Sequence, residues 1–268
     1  MMRTNKISQW LFGAWTGLVL VFLFAPLFVV AIFSFNSSEI SVFPIKGLTL
    51  KWYVQMFNNS AFKEAIVNSL IVAGFTVVIA TLLGVMAATG IRSYAGRFKG
   101  VASAMGTMPM MVPRLILGIA LLTFYNVLEA DLSLVTVIFG HVVFALPYVV
   151  LIVSARLVGF DDSLEEAARD LGASTFTVFR EITLPLLRPA IVGSALMSFT
   201  LSFDEVVVTF FTTGTANTLP MMIWSMLRFG LTPEINAIAT LTLAVSMVLA
   251  LIGEMSIRKA QSERASAP

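Results

Sequence analysis

Asp204 and Glu205 stand side by side in "LSFDEVVVTFF", a run otherwise apolar enough to lie in hydrocarbon. A charged side chain at such depth costs about 2.5–3.5 kcal/mol even on the lenient insertion scale, so each is a functional candidate. At 100° per residue, Ser194, Ser198, Ser202, Glu205, Thr209 and Thr212 share a stripe roughly 80° wide, with Asp204 about 100° away. This spacing predicts that Glu205 lines a water-accessible path and that Asp204 faces a neighbouring helix. The competing reading has both acids fixing helix packing or sitting in a hydrated vestibule. Arg114 follows Pro109 and Pro113 in another apolar run, where a broken helix with a buried guanidinium is an expensive arrangement. It has two readings: an ion pair with Asp204 or with a partner subunit, or a receptor for a carboxylate, phosphonate or phosphate. His141, the single histidine, reads as a packed or water-contacting residue, with Pro147 loosening its helix. Trp224, Tyr125 and Tyr148 suit stacking on a ligand, but aromatic residues at span ends serve more often as interface anchors.

Other chemistry is excluded by residue type. With no cysteine there are no disulfides, thiolate metal sites or thiol catalysis, and one histidine leaves no histidine cluster for a metal. No lysine follows a glycine, so a phosphate loop ending in "GKS" or "GKT" is impossible. Neither "GxGD" nor "GxSxG" occurs, which argues against an intramembrane protease. The chain is expected to be no enzyme and to hold no cofactor or metal of its own.

The elements that position these residues are membrane helices. The 268-residue chain is 58% apolar and only 12% charged, against about 25% charged in soluble domains. Windows of about 20 residues, enough to cross hydrocarbon, fall near residues 11–33, 66–91, 101–125, 132–153, 191–211 and 235–257. The first has an apolar run longer than a signal core and no small-x-small site after it, so it reads as a span and not as a cleaved leader. Basic residues flanking the spans divide twelve to one side and four, Lys46, Lys51, Lys63 and Arg228, to the other. That asymmetry predicts cytoplasmic N- and C-termini. The expected architecture is an all-α, polytopic, six-span membrane protein forming a single domain over 1–268. The outside loop from Asn36 to Lys63 contains "LTLKWYVQMF", whose Leu48, Trp52, Tyr53 and Phe57 suit an interfacial helix. The polar tail "RKAQSERASAP" reads as mobile.

One cytoplasmic insert, residues 161–185, breaks the apolar pattern with "DDSLEEAARDLGASTFTVFREITLP". Ser163 with Glu166 forms a capping-box pattern, acidic residues crowd the first turn, and Gly172 supplies a stop. Leu164, Ala167, Ala168 and Leu171 share a face. Ser174 or Thr175 can cap a second helix, and Pro185 closes the stretch before span five. On periodicity alone this is a solvated loop containing a helix.

The residues Glu166, Ala167, Ala168, Gly172, Ile182, Leu184 and Pro185 match, at every offset, the "EAA" signature of inner-membrane permease subunits of bacterial ATP-binding-cassette (ABC) importers, which this chain resembles. The resemblance extends through "APLFVVAIFSFN" and "NSLIVA", and "SFDEVVVTFFTTG" with "TLPMMIWSMLRFGLTPEINAIATL" is similar to the spermidine and putrescine branch. It implies the type I ABC importer permease fold in the bacterial inner (cytoplasmic) membrane. It also implies that 161–185 is a coupling segment docking on an ATPase subunit that binds the ATP and Mg. The implied partners are a second homologous permease, two ATPase subunits, a periplasmic substrate-binding protein and the lipid bilayer, with no nucleic acid. For a polyamine, the acidic pair would offer carboxylates to ammonium groups, with Ser198, Ser202 and Thr209 along the substrate pathway. Polyamine relatives carry an acid after the second proline, so Arg114 departs from the pattern and points toward a zwitterionic or anionic amine derivative, opine-like or an aminophosphonate. Two rivals lie outside this family. An ion-gradient transporter or channel would carry distinctive features in both halves, and a membrane scaffold would give no reason for Glu205 in a polar stripe.

Overall fold

The computed structural model describes residues 6–94, 96–228 and 232–265. These form α1 (Lys6–Phe33), α2 (Lys51–Asn58), α3 (Ser60–Tyr94), α4 (Lys99–Thr107), α5 (Arg114–Val127), α6 (Leu134–Val158), α7 (Asp162–Asp170), α8 (Thr175–Val178), α9 (Leu184–Phe203), α10 (Val207–Thr212), α11 (Leu219–Leu227) and α12 (Pro233–Ala265). Short 3-10 turns occupy Gly96–Phe98 and Met108–Met111, and a π turn occupies Phe179–Thr183. The only extended pairing among the described residues is one antiparallel bridge between Asn36 and Leu48. The chain divides into two compact units, Met1–Phe62 with Ile223–Val245, and Lys63–Met222 with Ser246–Pro268.

Four described helices are long and apolar enough to cross a membrane, and a bent pair makes a fifth. Gln9–Phe33 and Ser60–Ser93 contain the expected first and second spans, and Leu134–Val158 covers the expected fourth except for its first two residues. The third span is not one helix: Lys99–Met111 and Arg114–Val127 meet at 98°. Pro109 sits in the first turn of the 3-10 segment, and Val112, ahead of Pro113, is forced into extended backbone (φ −76°, ψ 126°). The fifth span differs at both ends. Helix runs from Thr175 through Pro185 to Phe203, so Pro185 does not close the insert, and the chain unwinds at 204–206 before α10. The five-residue π turn just before α9 spaces the backbone widely enough to admit Pro185 near the helix start. In the sixth, α12 continues helically to Ala265, through most of the tail expected to be mobile; residues 266–268, like Arg3, lie outside the described residues. Pro233–Val248 is an apolar stretch of α12, and the helix continues through the rest of the expected sixth span, 235–257.

In the first unit α1 exposes its apolar side chains all round, as a lipid-facing helix does. The loop after it is folded: Ser37 N–H donates to Gly47 O at 2.9 Å, Thr49 N–H to Phe35 O at 2.8 Å, and Asn236 Nδ2 to Ser41 Oγ at 2.8 Å. Trp52 is buried on α2 and donates from Nε1 to Asn36 O at 2.7 Å, so it braces the loop and is not the interfacial anchor expected of it; Leu48 and Phe57 remain exposed.

In the second unit α6 is the central element. Ala80, Val85 and Ala88 of α3, Phe144, Ala145, Val149, Val153 and Leu157 of α6, Leu187 of α9 and Val208 of α10 form one core. Small residues let the helices approach: a Cβ on Gly84 would lie 2.6 Å from Val149, and one on Gly118 2.6 Å from the Phe211 ring. In lipid, where apolar burial between helices gains little, such close packing is a main source of association.

Candidate functional site

Two clusters lie within the second unit, and both are built by residues distant in sequence. The first surrounds Glu205. The polar stripe is real, but it is an internal seam: Ser194, Ser198, Ser202, Glu205, Thr209 and Thr212 are all buried. Glu205, 1% exposed, pairs through Oε2 with Arg114 Nη1, and its Oε1 accepts the Val208 N–H at 3.0 Å. That second bond caps α10, which is why span five can break here: the carboxylate takes over an orphan amide of the new helix. Asp204, the last-turn cap of α9, is exposed. The expected orientation is therefore reversed: Glu205 faces neighbouring helices and Asp204 does not, because the backbone stops being helical between them. Arg114 pairs with Glu205, not with Asp204. Its side chain keeps 41% exposure and its guanidinium stands 5.1 Å from the Phe144 ring centroid.

His141 completes this cluster. It is buried on α6, with Nδ1 2.8 Å from Ser202 Oγ and Nε2 2.9 Å from Thr209 Oγ1, while the Thr209 hydroxyl donates to Glu205 O at 2.9 Å. One imidazole thus ties α6 to both sides of the break. Ser198 Oγ is buried on the same seam without a protein partner. A buried carboxylate is tolerable only when paired and hydrogen-bonded, and Glu205 meets both conditions. Among the described residues no group of three or more His, Asp and Glu could hold a metal ion.

The second cluster is the insert. α7 starts two residues earlier than the capping-box pattern implies: Asp161, not Ser163, is the N-cap and accepts the Ser163 N–H at 3.0 Å. Hydrogen bonds from the Ser163 side chain and then its backbone hold the Asp161 carboxyl below its ordinary range. α7 ends in a Schellman motif, with Gly172 N–H to Arg169 O at 2.9 Å and Ala173 N–H to Ala168 O at 3.0 Å. This geometry puts Gly172 at φ +84°, where a side chain would be strained. Ser174 then caps α8, accepting the Thr177 N–H at 3.2 Å. Glu166, Ala167, Gly172, Leu184 and Pro185 are exposed, and Ala168 and Ile182 half-buried. Leu164, Leu171 (90% exposed) and Phe176 also project outward.

Sequence reasoning missed the residues that hold this insert. Glu165, one position before the signature, pairs with Arg92 of α3 at 3.1 Å and accepts the Thr183 hydroxyl at 2.7 Å; Arg92 also pairs with Asp162. The only local hint was the Glu165–Arg169 spacing, an i,i+4 pair that the structure places at 3.6 Å.

Residues 80–261, which contain both clusters, match the family described as binding-protein-dependent transport system inner membrane component. The chain is 39% identical over 253 residues to the spermidine/putrescine transport system permease protein PotC of Escherichia coli (strain K12), covering 94% of this chain and 96% of that one. It is 38% identical over 252 residues to the putrescine transport system permease protein PotI of the same strain, covering 91% and 89%. In fold it is similar to a chain of a bacterial ABC transporter involved in the import of the acidic polysaccharide alginate, with TM-score 0.76 and 16% identity over 95% of this chain and 96% of that one. The chain belongs to the family of binding-protein-dependent transport system inner membrane components, and it is a permease subunit of an ABC importer.

Proposed function

We propose that residues 1–268 act as one permease domain in the bacterial inner membrane, moving a small amine-containing solute, a polyamine or related organic amine, from a periplasmic binding protein into the cytoplasm. The domain pairs with a second homologous permease and two ATPase subunits, which bind the ATP and Mg. Segment 161–185 docks on one ATPase through Glu166, Ala167, Ala168, Gly172, Ile182, Leu184 and Pro185. ATP-driven closure moves that segment and rocks the helices between inward-open and outward-open states. The observation that carries the reading is the surface of the insert. Its ends are capped and Glu165 is tied inward, yet Leu164, Leu171 and Phe176 are left outside, as a surface awaiting a protein partner would be. Gly172→Arg should abolish co-purification of the ATPase, whereas Gly172→Ala, with the same backbone strain and no bulk, should retain it; retention by both would remove the docking role.

Asp204 and Arg114 border the solute's path in this reading, with Glu205, Ser198, Ser202 and Thr209 as the wall behind them. The amine class is supported by the 39% identity to PotC and by the exposed Asp204 carboxylate. One observation favours a second reading, a zwitterionic or anionic amine derivative. Arg114 occupies Glu205, which withdraws one carboxylate from any polycation, and still keeps guanidinium surface exposed. Thermal stabilisation of the cognate binding protein by putrescine and spermidine, set against opines and aminophosphonates, decides between them.

A further inference from the structure

We propose that Arg92 is a positioning residue that joins the cytoplasmic end of α3 to α7, with Glu165 as its anchor, so that a push on α7 reaches α3 and α9 together. The proposal rests on the docking role of 161–185. Helix α7 buries none of its residues, and a free nine-residue helix is marginal, so apolar packing does not hold it in place. Polar contacts do. The Arg92 fork reaches Asp162 with one nitrogen and Glu165 Oε1 with the other, while its guanidinium stacks 4.4 Å from the Phe160 ring centroid in the turn ahead of α7. The same Oε1 accepts the hydroxyl of Thr183, the last residue of the π turn that leads into α9. One carboxylate oxygen therefore touches the ends of two long membrane helices and the short helix between them.

Ordinary surface ion pairs transmit little, because solvent screens them and the side chains swing freely. Arg92 and Glu165 differ in being only 17% and 14% exposed, with the fork geometry that fixes a guanidinium in two directions. Arg169, 53% exposed and 3.6 Å from the other Glu165 oxygen, steadies the carboxylate from outside. A lysine at position 92 would keep the charge and lose the fork.

The test uses the assembled transporter, with single nitroxide labels on this chain, which has no cysteine of its own, and with any cysteines of the other subunits replaced. A label at exposed Ser93→Cys reports α3, and one at exposed Asp170→Cys reports α7. Trapping the ATPase subunits with ADP–vanadate should change both signals in the wild type. Arg92→Gln and Glu165→Gln should each cut the α3 change to under a third while leaving the α7 change, and the double variant should be no worse than either. Arg92→Lys should recover more than half of it. An α3 response that is absent in the wild type or survives Arg92→Gln overturns the proposal. So does loss at both labels, because Arg92 would then hold the docking foot itself. If the wild-type α7 label does not respond at all, the docking role falls first and the lever with it.

Discussion

Replacing Glu205 tests whether the break in span five is built on a carboxylate. Glutamine at 205 keeps an acceptor for the Val208 N–H but removes the charge facing Arg114. Breaking a fully buried pair costs about 3–5 kcal/mol. Arg114 is 41% exposed and regains water on that side, so the expected cost is about 1–2 kcal/mol. Alanine also strips the Val208 N–H of its acceptor, adding about 1 kcal/mol, and leaves a void where the buried carboxylate stood. At about 2–4 °C per kcal/mol for a chain of this size, thermal unfolding of the purified complex should fall by about 2–8 °C for Glu205→Gln and more for Glu205→Ala. Asp204→Asn, at an exposed site, should stay within about 0.5 kcal/mol. The double variant Arg114→Gln with Glu205→Gln should be less destabilised than Glu205→Gln alone, because no guanidinium is left without its partner. Equal shifts for Glu205→Gln and Asp204→Asn, or a double variant worse than the single, would refute the reasoning.

Gly84→Ala should destabilise the second unit by about 1–3 kcal/mol, since Val149 is β-branched and cannot rotate away from a Cβ at 2.6 Å; Gly74→Ala, with nothing within 4 Å, is the control for the same melt. Gly172→Ala should cost about 1–2 kcal/mol through its positive φ and speed amide exchange at Gly172 and Ala173, with Gly172→Asn milder. The lowered Asp161 carboxyl stabilises α7 wherever it is ionised. That contribution is fully present above its unfolded value, about pH 4, and disappears as pH falls through the lower folded value, so protection of the Ser163 amide should fade only below that point and Asp161→Asn should make it pH-independent.

Much of the scaffold is legible because bilayer thickness and helix period act locally. Three long spans lie where hydropathy puts them, and the prolines at 109 and 113 announce the bend by removing amides and pushing Val112 into extended backbone. The polar stripe is legible as a group but not in its direction. A periodicity argument assumes an unbroken helix, and Glu205 uses its own side chain to end that assumption. The C-terminal stop of α7 is readable in Gly172, whereas its start is ambiguous because "DDS" offers three capping residues and the first one wins. Partners such as Arg92 and Glu165, or His141 with Ser202 and Thr209, are separated by about sixty or more residues. No local pattern encodes such pairings; they exist only after the helices have packed.

The π turn at Phe179–Thr183 joins α8 to α9 in one unbroken helical run. Each residue of an ordinary helix advances the face by 100°, whereas the wider turn rotates less per residue, so its five residues carry the chain round by nearly the angle that four would in plain α-helix. Deleting one residue there would let the run close as plain α-helix and leave every later side chain facing nearly as before. Ser202 would still meet His141, and the carboxylate at 205 would still meet its arginine. The fifth residue therefore lies outside the register on which the buried seam depends, and this short stretch is where the run can absorb a change of one in chain length.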